Sequence, residues 1–551
     1  MTDKELANVI FPNITKTIED YEKMYPEREL PEGAKVTRFA PSPTGFVHIG
    51  NMLQAVLDYY LAKNSGGIFY LRNEDTDTKR EVSSAVEKIM DALKYMEMLP
   101  DEYEFDGSVV GNYGPYVQSE RKEIYHTFIK HLIEIGRAYP CFCTSEELEI
   151  MRKKQEAKKG RIGYHGGWAK CRDLSNEERI ERIKNGEKFV IRFKSMGNYD
   201  RKINYEDLVT GVIEFPQNDE DFVIMKSEDL LPTYHFAHLV DDHLMHTTHV
   251  VRGQEWLPSV PKHVELFETF GFKQPKYIHS SLLLKQDGNV RRKISKRKDP
   301  EALMEYYMEH GYPREAVIES LMTILNSNYE EWRDSNPESN YLEFEFDPKK
   351  VGTSGALYDL EKLDNISKNL ISRMSADQVY DNLVHYTEIY DPEFNKIVTN
   401  DPDYTKSILN IERVQDKPRK DFANFSDIKK GIWYMYDELF DSPEYEWMKI
   451  TDIGEIKNIL NTYIDEFYSE SDTSEEWFNK VKLMCDKLGY ASNMKEYKQN
   501  PDAYKGNVAD ISTVLRVALT SKSQTPDLYQ IMNILGKNRI VKRFKESIKL
   551  N

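Results

Sequence analysis

Apolar residues at Ile49, Met52, Leu53, Val56, Leu57, Tyr60 and Leu61 recur at the three-to-four spacing of a buried helical face. Residues 35–40 just before them alternate like a strand, so the local order is strand, loop, helix. Two further helical patterns follow: Val82, Val86, Ile89, Met90 and Leu93, then Ile124, Phe128, Ile129, Leu132 and Ile133, the latter closed by Gly136 as a C-cap. Strands alternating with amphipathic helices predict a parallel-sheet α/β layer. The character changes at Cys141, where a stretch to about Leu231 carries a very basic segment (152–161) and strand-like alternation at Phe189, Ile191 and Phe193. The α/β pattern resumes from Tyr234 to Lys296, and the chain is mainly helical after Lys298. The expected order is therefore an N-terminal extension (1–33), a split α/β domain (34–140 and 232–298) around an insertion (141–231), and two mainly α-helical regions (299–374 and 375–551).

At 551 residues the chain exceeds one core, since domains run to about 100–200 residues. No apolar run approaches the roughly 20 residues of a membrane span, and the polar N-terminus lacks a signal-peptide h-region. A cytoplasmic monomer without membrane or DNA partners is the expectation. Four cysteines make no disulfide framework. The net charge of −18 argues against indiscriminate nucleic-acid binding, but positive residues need line only one face. Arg291, Arg292, Lys293, Lys296, Arg297 and Lys298 crowd one segment, while Lys537, Arg539, Lys542, Arg543 and Lys545 stud a terminal helix, as a tRNA contact or a solvated face.

The candidate chemistry lies in two distant strings. Pro41-Ser42-Pro43-Thr44-Gly45-Phe46-Val47-His48-Ile49-Gly50 joins the first strand to its helix, aiming free helix N–H groups at whatever sits above the strand, usually phosphate. Gly45 and Gly50 leave room for a nucleotide to approach the backbone. Lys293-Ile294-Ser295-Lys296-Arg297 follows a turn-forming Asp287-Gly288-Asn289. Cys141-x-Cys143 with Cys171 has the thiolate spacing of a structural zinc site, free buried thiols being the alternative. His235, His238, His243, His246 and His249 are read as ordinary hydrogen-bonding residues, not as a metal cluster.

Together the two strings resemble the HIGH and KMSKS elements of class I aminoacyl-tRNA synthetases, in the form carried by bacterial-type glutamyl-tRNA synthetases. The segments Leu71-Arg72-Asn73-Glu74-Asp75-Thr76-Asp77, Gly114-Pro115-Tyr116-Val117-Gln118-Ser119-Glu120-Arg121, Val240-Asp241-Asp242-His243-Leu244-Met245 and Val251-Arg252-Gly253-Gln254-Glu255-Trp256-Leu257 keep that family's order, from about Lys35 to the C-terminus. Two departures stand out: Asn51 replaces the last HIGH histidine, and His238 stands where relatives place Asn. The first 33 residues show no counterpart.

The resemblance implies a split Rossmann-type catalytic domain with an inserted connective domain, then α-helical stem-contact and anticodon-binding domains. It implies ATP with Mg2+ and L-glutamate as substrates and tRNA(Glu), with tRNA(Gln) as a second candidate, as acceptor. His48, Lys293 and Lys296 would be catalytic; Thr44, Gly45, Gly50 and Ser295 would join them around ATP. Arg38, Ala40, Ser42, Glu74, Tyr234, His238 and Arg252 would hold glutamate, forked guanidinium being the best donor for carboxylates. Asp75 and Asp77 read equally well as caps of the following helix. In zinc-bearing relatives a Tyr or His completes the thiolate set, here Tyr164 or His165. Lys417-Pro418-Arg419-Lys420 is a candidate piece of the anticodon reader. The alternatives are an inactive or regulatory tRNA-binding paralogue, a tRNA-modifying glutamyl transferase and a glutaminyl-tRNA synthetase.

Overall fold

The computed structural model describes every residue except 44, 78–83, 353–354 and 550–551. The chain divides into two compact units, Met1–Tyr307 with Ile318–Leu360, and Met308–Val317 with Glu361–Asn551.

The first unit begins with α1 (Asp3–Ile10), whose Thr2 and Glu5 form a capping box, and α2 (Ile18–Met24). Then come β1 (Val36–Phe39), α3 (Ile49–Lys63) and β2 (Ile68–Leu71), a right-sized βαβ unit in which β1 and β2 pair in parallel. All seven periodic apolar residues of α3 are buried. α4 (Ala85–Tyr95) occupies the second helical pattern, with Val82 outside the described residues. A short hairpin of β3 (Tyr103–Phe105) and β4 (Ser108–Val110) precedes α5 (Lys122–Glu134), after which Gly136 turns the chain at φ 70°.

The next stretch is antiparallel. β5 (Ala138–Cys141) is followed by α6 (Ser145–Ala157), α7 (Asn176–Lys184) and β6 (Val190–Phe193). The hairpin β7 (Lys202–Asp207) and β8 (Gly211–Pro216) comes next, then β9 (Val223–Met225), and β6 pairs with both β5 and β9. The parallel pattern returns with α8 (Tyr234–Leu244), β10 (His249–Gly253), α9 (Val260–Phe270) and β11 (Lys276–Ser280), β10 and β11 being parallel. Thr248 N–H donates to Val36 O at 3.0 Å, so the second parallel pair abuts the first although about two hundred residues separate them. β12 (Leu283–Asp287) and β13 (Val290–Lys293) form the hairpin that carries the second signature.

The extension is tied into this unit. α1 packs on α5 and α7. Arg28 forks onto the Glu102 carboxylate (2.7 and 2.9 Å), donates from Nε to Met245 O (2.9 Å) and lies over the Tyr113 ring.

The second unit is helical around one apolar core that includes Leu383, Ile459, Met484, Leu515 and Ile531. The helix assigned to Leu528–Ser547 breaks at Gly536, where φ is 71°, so the terminal basic run starts a new helix. Arg543 is no part of a solvated face: it is buried and donates to Tyr434 O, Leu519 O and Asp437. Among the described residues no helix is long and apolar enough to cross a membrane.

Two adjacent buried acids on α8 fasten the halves of the first unit. Arg72 Nη1 donates to Asp242 Oδ1 (2.6 Å), and Arg38 Nε lies 3.5 Å from the same oxygen. Asp241 accepts from Arg121 Nε (2.7 Å), Gln118 and Tyr125 (2.8 Å each). Burial alone would raise the Asp242 carboxyl, yet Arg72, His238 and Arg38 hold it well below the usual carboxylate range. Removing one member of such a set strands the others as buried charge, so Asp242→Ala should lower stability by about 3–5 kcal/mol. Urea unfolding of the full chain measures it, and an unchanged midpoint would contradict this role for Asp242.

Candidate active site

A cavity of about 640 Å³ opens at the C-terminal ends of β1 and β10, where ligands lie in open α/β sheets. It gathers Arg38, Ala40, Ser42, Glu74, Tyr234 and Arg252, brought together from four separate segments. His238 is not in the lining: it stacks behind Tyr234 with rings 8° from parallel, its Nδ1 on Asp242 and its Nε2 on the Tyr277 hydroxyl (2.6 Å). Asn51 faces the cavity where the missing histidine would stand.

Charge is distributed unevenly around the walls. Arg38 is close to Asp242, and Glu74 accepts from Arg72 Nη2 at 2.9 Å. Burial pushes the Glu74 carboxyl up, opposed by Arg72 and Arg38. Asp58, wholly buried and lining the same cavity, is pushed well above its ordinary value by burial, against the pull of Arg38. Arg252 differs. Its Nε donates to His279 Nε2 (2.9 Å), and its Nη1 donates to His263 Nδ1 (3.1 Å) and to the Tyr234 hydroxyl at 3.4 Å. Its Nη2 has no partner among the described residues.

A guanidinium has only donors, so both imidazoles must present lone pairs to it. His279 therefore carries its proton on Nδ1, which donates to Asp207 Oδ2 (2.6 Å), and His263 carries its proton on Nε2, which donates to His235 Nδ1 (3.0 Å). Burial first and Arg252 second hold His263 well below its ordinary value. Burial likewise takes His235 down to about 3 and His238 down to about 4. Asp207, His263 and His279 were not among the residues singled out from sequence; an acid or imidazole on a strand or an apolar helix face was the only available signal.

Next to the cavity, His48 caps α3, its Nδ1 accepting from Gly50 N at 2.9 Å. The proton is thus on Nε2, and burial with Lys296 nearby lowers the imidazole's pKa, making it a neutral donor. A Cβ at position 50 would stand 3.0 Å from that Nδ1, so a larger residue there would crowd the capping imidazole. Thr44 lies outside the described residues. Gly45 adopts φ 111°. The second signature is anchored by buried Ile294 and by Asp299, which accepts from both Nη atoms of Arg292 (2.7 and 2.8 Å) and from Ser295 N (2.9 Å). Ser295 sets this turn, while Lys293 and Lys296 stay on the exposed side and Lys296 donates to Phe46 O, bridging the two signatures. Asp75 accepts from Ser119 N and Oγ in the first turn of the short helix Gln118–Arg121, and α4, the following helix, has no side-chain cap among the described residues.

The thiols of Cys141, Cys143 and Cys171 lie within 4.8 Å of one another. A tetrahedral zinc with sulfur at 2.3 Å spaces its ligands by about 3.8 Å, and Cys143 to Cys171 is 3.6 Å, so the set fits such an ion. The Tyr164 hydroxyl stands 3.4 and 3.3 Å from Cys141 and Cys143. His165 turns away, donating to Arg161 O (3.1 Å). The five histidines near α8 form no metal group among the described residues; His243, for example, stacks on Phe272 and bonds Glu22. In the second unit Arg419, Arg516, Trp477, Phe478, Thr525 and Pro526 surround a cavity of about 900 Å³.

Residues 35–339 match the family described as tRNA synthetases class I (E and Q), catalytic domain, and residues 403–548 match an anticodon binding domain. The chain is 47% identical to the glutamate–tRNA ligase of Clostridium perfringens (strain SM101 / Type A) over the whole of both chains. It is 47% identical to that of Acetivibrio thermocellus, covering 99% of this chain and 100% of the other. A crystal structure of a glutamate tRNA ligase from Elizabethkingia meningosepticum superposes with a TM-score of 0.75 at 28% identity, covering 94% of this chain and 100% of that one. Because the clostridial alignment spans the whole chain, the first 33 residues do have a counterpart.

The histidine chain makes stability depend on pH. His235, His238 and His263 have folded values below the unfolded value of about 6.5, so below that pH the unfolded chain binds protons that the folded one refuses. Stability should be full above pH 6.5 and fall by about 1 kcal/mol per histidine per pH unit below it. Unfolding midpoints at pH 7 and 5 test this, and the His235→Gln variant should flatten the slope by one histidine's share.

Proposed function

The chain belongs to the class I tRNA synthetases of the glutamate and glutamine group, and from that premise we propose that it is a glutamate–tRNA ligase. One observation carries the choice of amino acid: Arg252 is buried in the cavity wall, held by neutral imidazoles, with one nitrogen unpartnered and no carboxylate bound to it among the described residues. A buried cation left in that state calls for an anionic ligand.

In this reading the glutamate side-chain carboxylate takes Arg252, with Arg38 beside it and the Tyr234 hydroxyl as a further donor, and the ammonium takes Glu74, over Ala40 and Ser42. His238 acts on glutamate through Tyr234, behind which it stacks. ATP enters as its magnesium complex, as is general for this class, against Thr44, Gly45, Gly50 and the Nε2–H of His48. One oxygen of the glutamate α-carboxylate attacks the α-phosphorus and pyrophosphate leaves, its growing charge met by Lys293, Lys296 and Ser295 of the second signature. This is positioning and charge stabilisation without a covalent nucleophile on the protein. The 2′-hydroxyl of the terminal adenosine of tRNA(Glu) then attacks the adenylate carbonyl and AMP leaves. The cavity around Arg419 and Arg516 in the second unit, with its stacking rings, supports anticodon reading there. The Cys141, Cys143 and Cys171 thiolates with Tyr164 would hold one structural zinc.

Charging assays with purified tRNA test the reading. Glutamate should exceed glutamine by at least about 10² in kcat/KM, because a neutral amide leaves buried Arg252 without a counter-charge. His48→Ala and Lys296→Ala should each slow adenylate formation by about 10²–10³, the loss of one transition-state donor. Efficient glutamine transfer would overturn the assignment; glutamate placed on tRNA(Gln) as well would make the enzyme non-discriminating.

Metal analysis of chelator-washed protein should find one zinc per chain, lost in Cys143→Ser together with local stability of residues 141–231, since binding and local folding are coupled. Much less than one equivalent in the unsubstituted protein would refute a tight site.

A further inference from the structure

Proteins usually hold a buried arginine with carboxylates, as here Arg38, in the cavity wall, is held by Asp242 and Arg72, behind the wall, by Asp242 and Glu74. Arg252 is held just as firmly by different chemistry. Its two imidazole acceptors fix the plane of the guanidinium without contributing negative charge, and the Tyr277 ring lies 4.4 Å beneath it. Asp207, the carboxylate bonded to His279, is separated from Arg252 by the full width of that imidazole, and Glu255, which lines the same cavity, makes no ion pair with the guanidinium among the described residues.

Asp207 is itself over-determined. It ends β7, is 1% exposed, and its Oδ1 accepts from Val209 N, Thr210 N and Thr210 Oγ1 at 2.9–3.1 Å. That leaves Oδ2 for His279, which stands on β11. A carboxylate can only accept, so Asp207 compels the Nδ1–H tautomer of His279 and turns the Nε2 lone pair toward Arg252. With the opposite tautomer, two N–H groups would face each other.

We propose that Asp207 and His279, with His263 on the other side, are positioning residues for Arg252: they orient its guanidinium into the cavity while leaving its charge uncompensated, and so make the site select a substrate side chain that carries a carboxylate. This rests on the glutamate reading above. The selectivity lies in the choice of neutral holders. A carboxylate in place of either imidazole would satisfy the cation internally and leave the substrate less to gain.

The test is steady-state charging by the full-length enzyme, with KM for glutamate, KM for ATP, kcat, and the inhibition constant of glutamine against glutamate. His279→Leu removes the acceptor and Asp207→Asn frees the tautomer. Each should raise KM for glutamate about 10–100-fold, as expected when a hydrogen bond to a charged group is lost, with kcat and KM for ATP moving less than about threefold. The glutamine constant should move by less than about threefold, because a neutral side chain never used the charge. His279→Gln, which keeps an acceptor for Arg252 and a donor for Asp207, should recover most of the loss. If glutamate and glutamine weaken together, or if kcat falls while KM holds, the two residues are merely structural and the inference is wrong. If the unsubstituted enzyme does not charge tRNA with glutamate at all, the ligase reading itself has failed, a result distinguishable from the first.

Discussion

The first unit depends on the pairing of Asp241 and Asp242 with three arginines from the other half of its interrupted sheet domain. Two acids on the buried face of α8 would be ruinous alone, because an ion moved from water into a protein interior loses several kcal/mol that only close partners return. Arg72, Arg38 and Arg121 all come from residues 38–121, before the antiparallel stretch, whereas α8 comes after it. The halves of the interrupted sheet are therefore joined by charge as well as by the contact of Thr248 with Val36. Geometry at the cavity follows from this: Arg38, Glu74 and Tyr234 have fixed relative positions because each is one bond or one ring away from that network.

Beside that neutralised core, Arg252 stands without a carboxylate partner among the described residues. Arg38 and Arg72 share their charge with Asp242 and Glu74, while Arg252 is held by two imidazoles and a phenol hydroxyl and lies over the Tyr277 ring. Low local dielectric makes such an arrangement sensitive, because a charge without an internal partner interacts strongly with whatever enters. The same segregation explains how a chain of net charge −18 can handle ATP, glutamate and tRNA, all anionic. What matters is the field at the site: Arg252 in the cavity, and Lys293 and Lys296 on a turn that Arg292 and Asp299 pin from behind.

Much of this was legible in the linear order. The helical period placed α3 and its buried face, because seven apolar residues at 3.6-residue spacing leave no other element to form. The placement of His48, Gly50, Lys293 and Lys296 was legible because each sits in a short string with its own local geometry, a strand running into a helix N-terminus or a tight charged turn. The same holds for Cys141, Cys143 and Cys171, where proximity along the chain foretold proximity in space for two of the three. Tyr164 against His165, and the burial of Arg543, could not be settled that way, since adjacent residues point in opposite directions and only packing says which faces the thiols or the core.

The sequence by itself determined which segments form strands and helices and which strings can carry phosphate chemistry, because hydrophobic period, turn residues and capping act over a few residues. Only the tertiary structure decided what holds Arg252. Asp207, His263 and His279 lie on a hairpin, a helix and a strand far apart in the chain, and nothing in their neighbours marks them. Their role arises from hydrogen-bond direction, a donor-only guanidinium meeting imidazoles whose protons are set by the next residue in the row, and that direction exists only once the chain has folded.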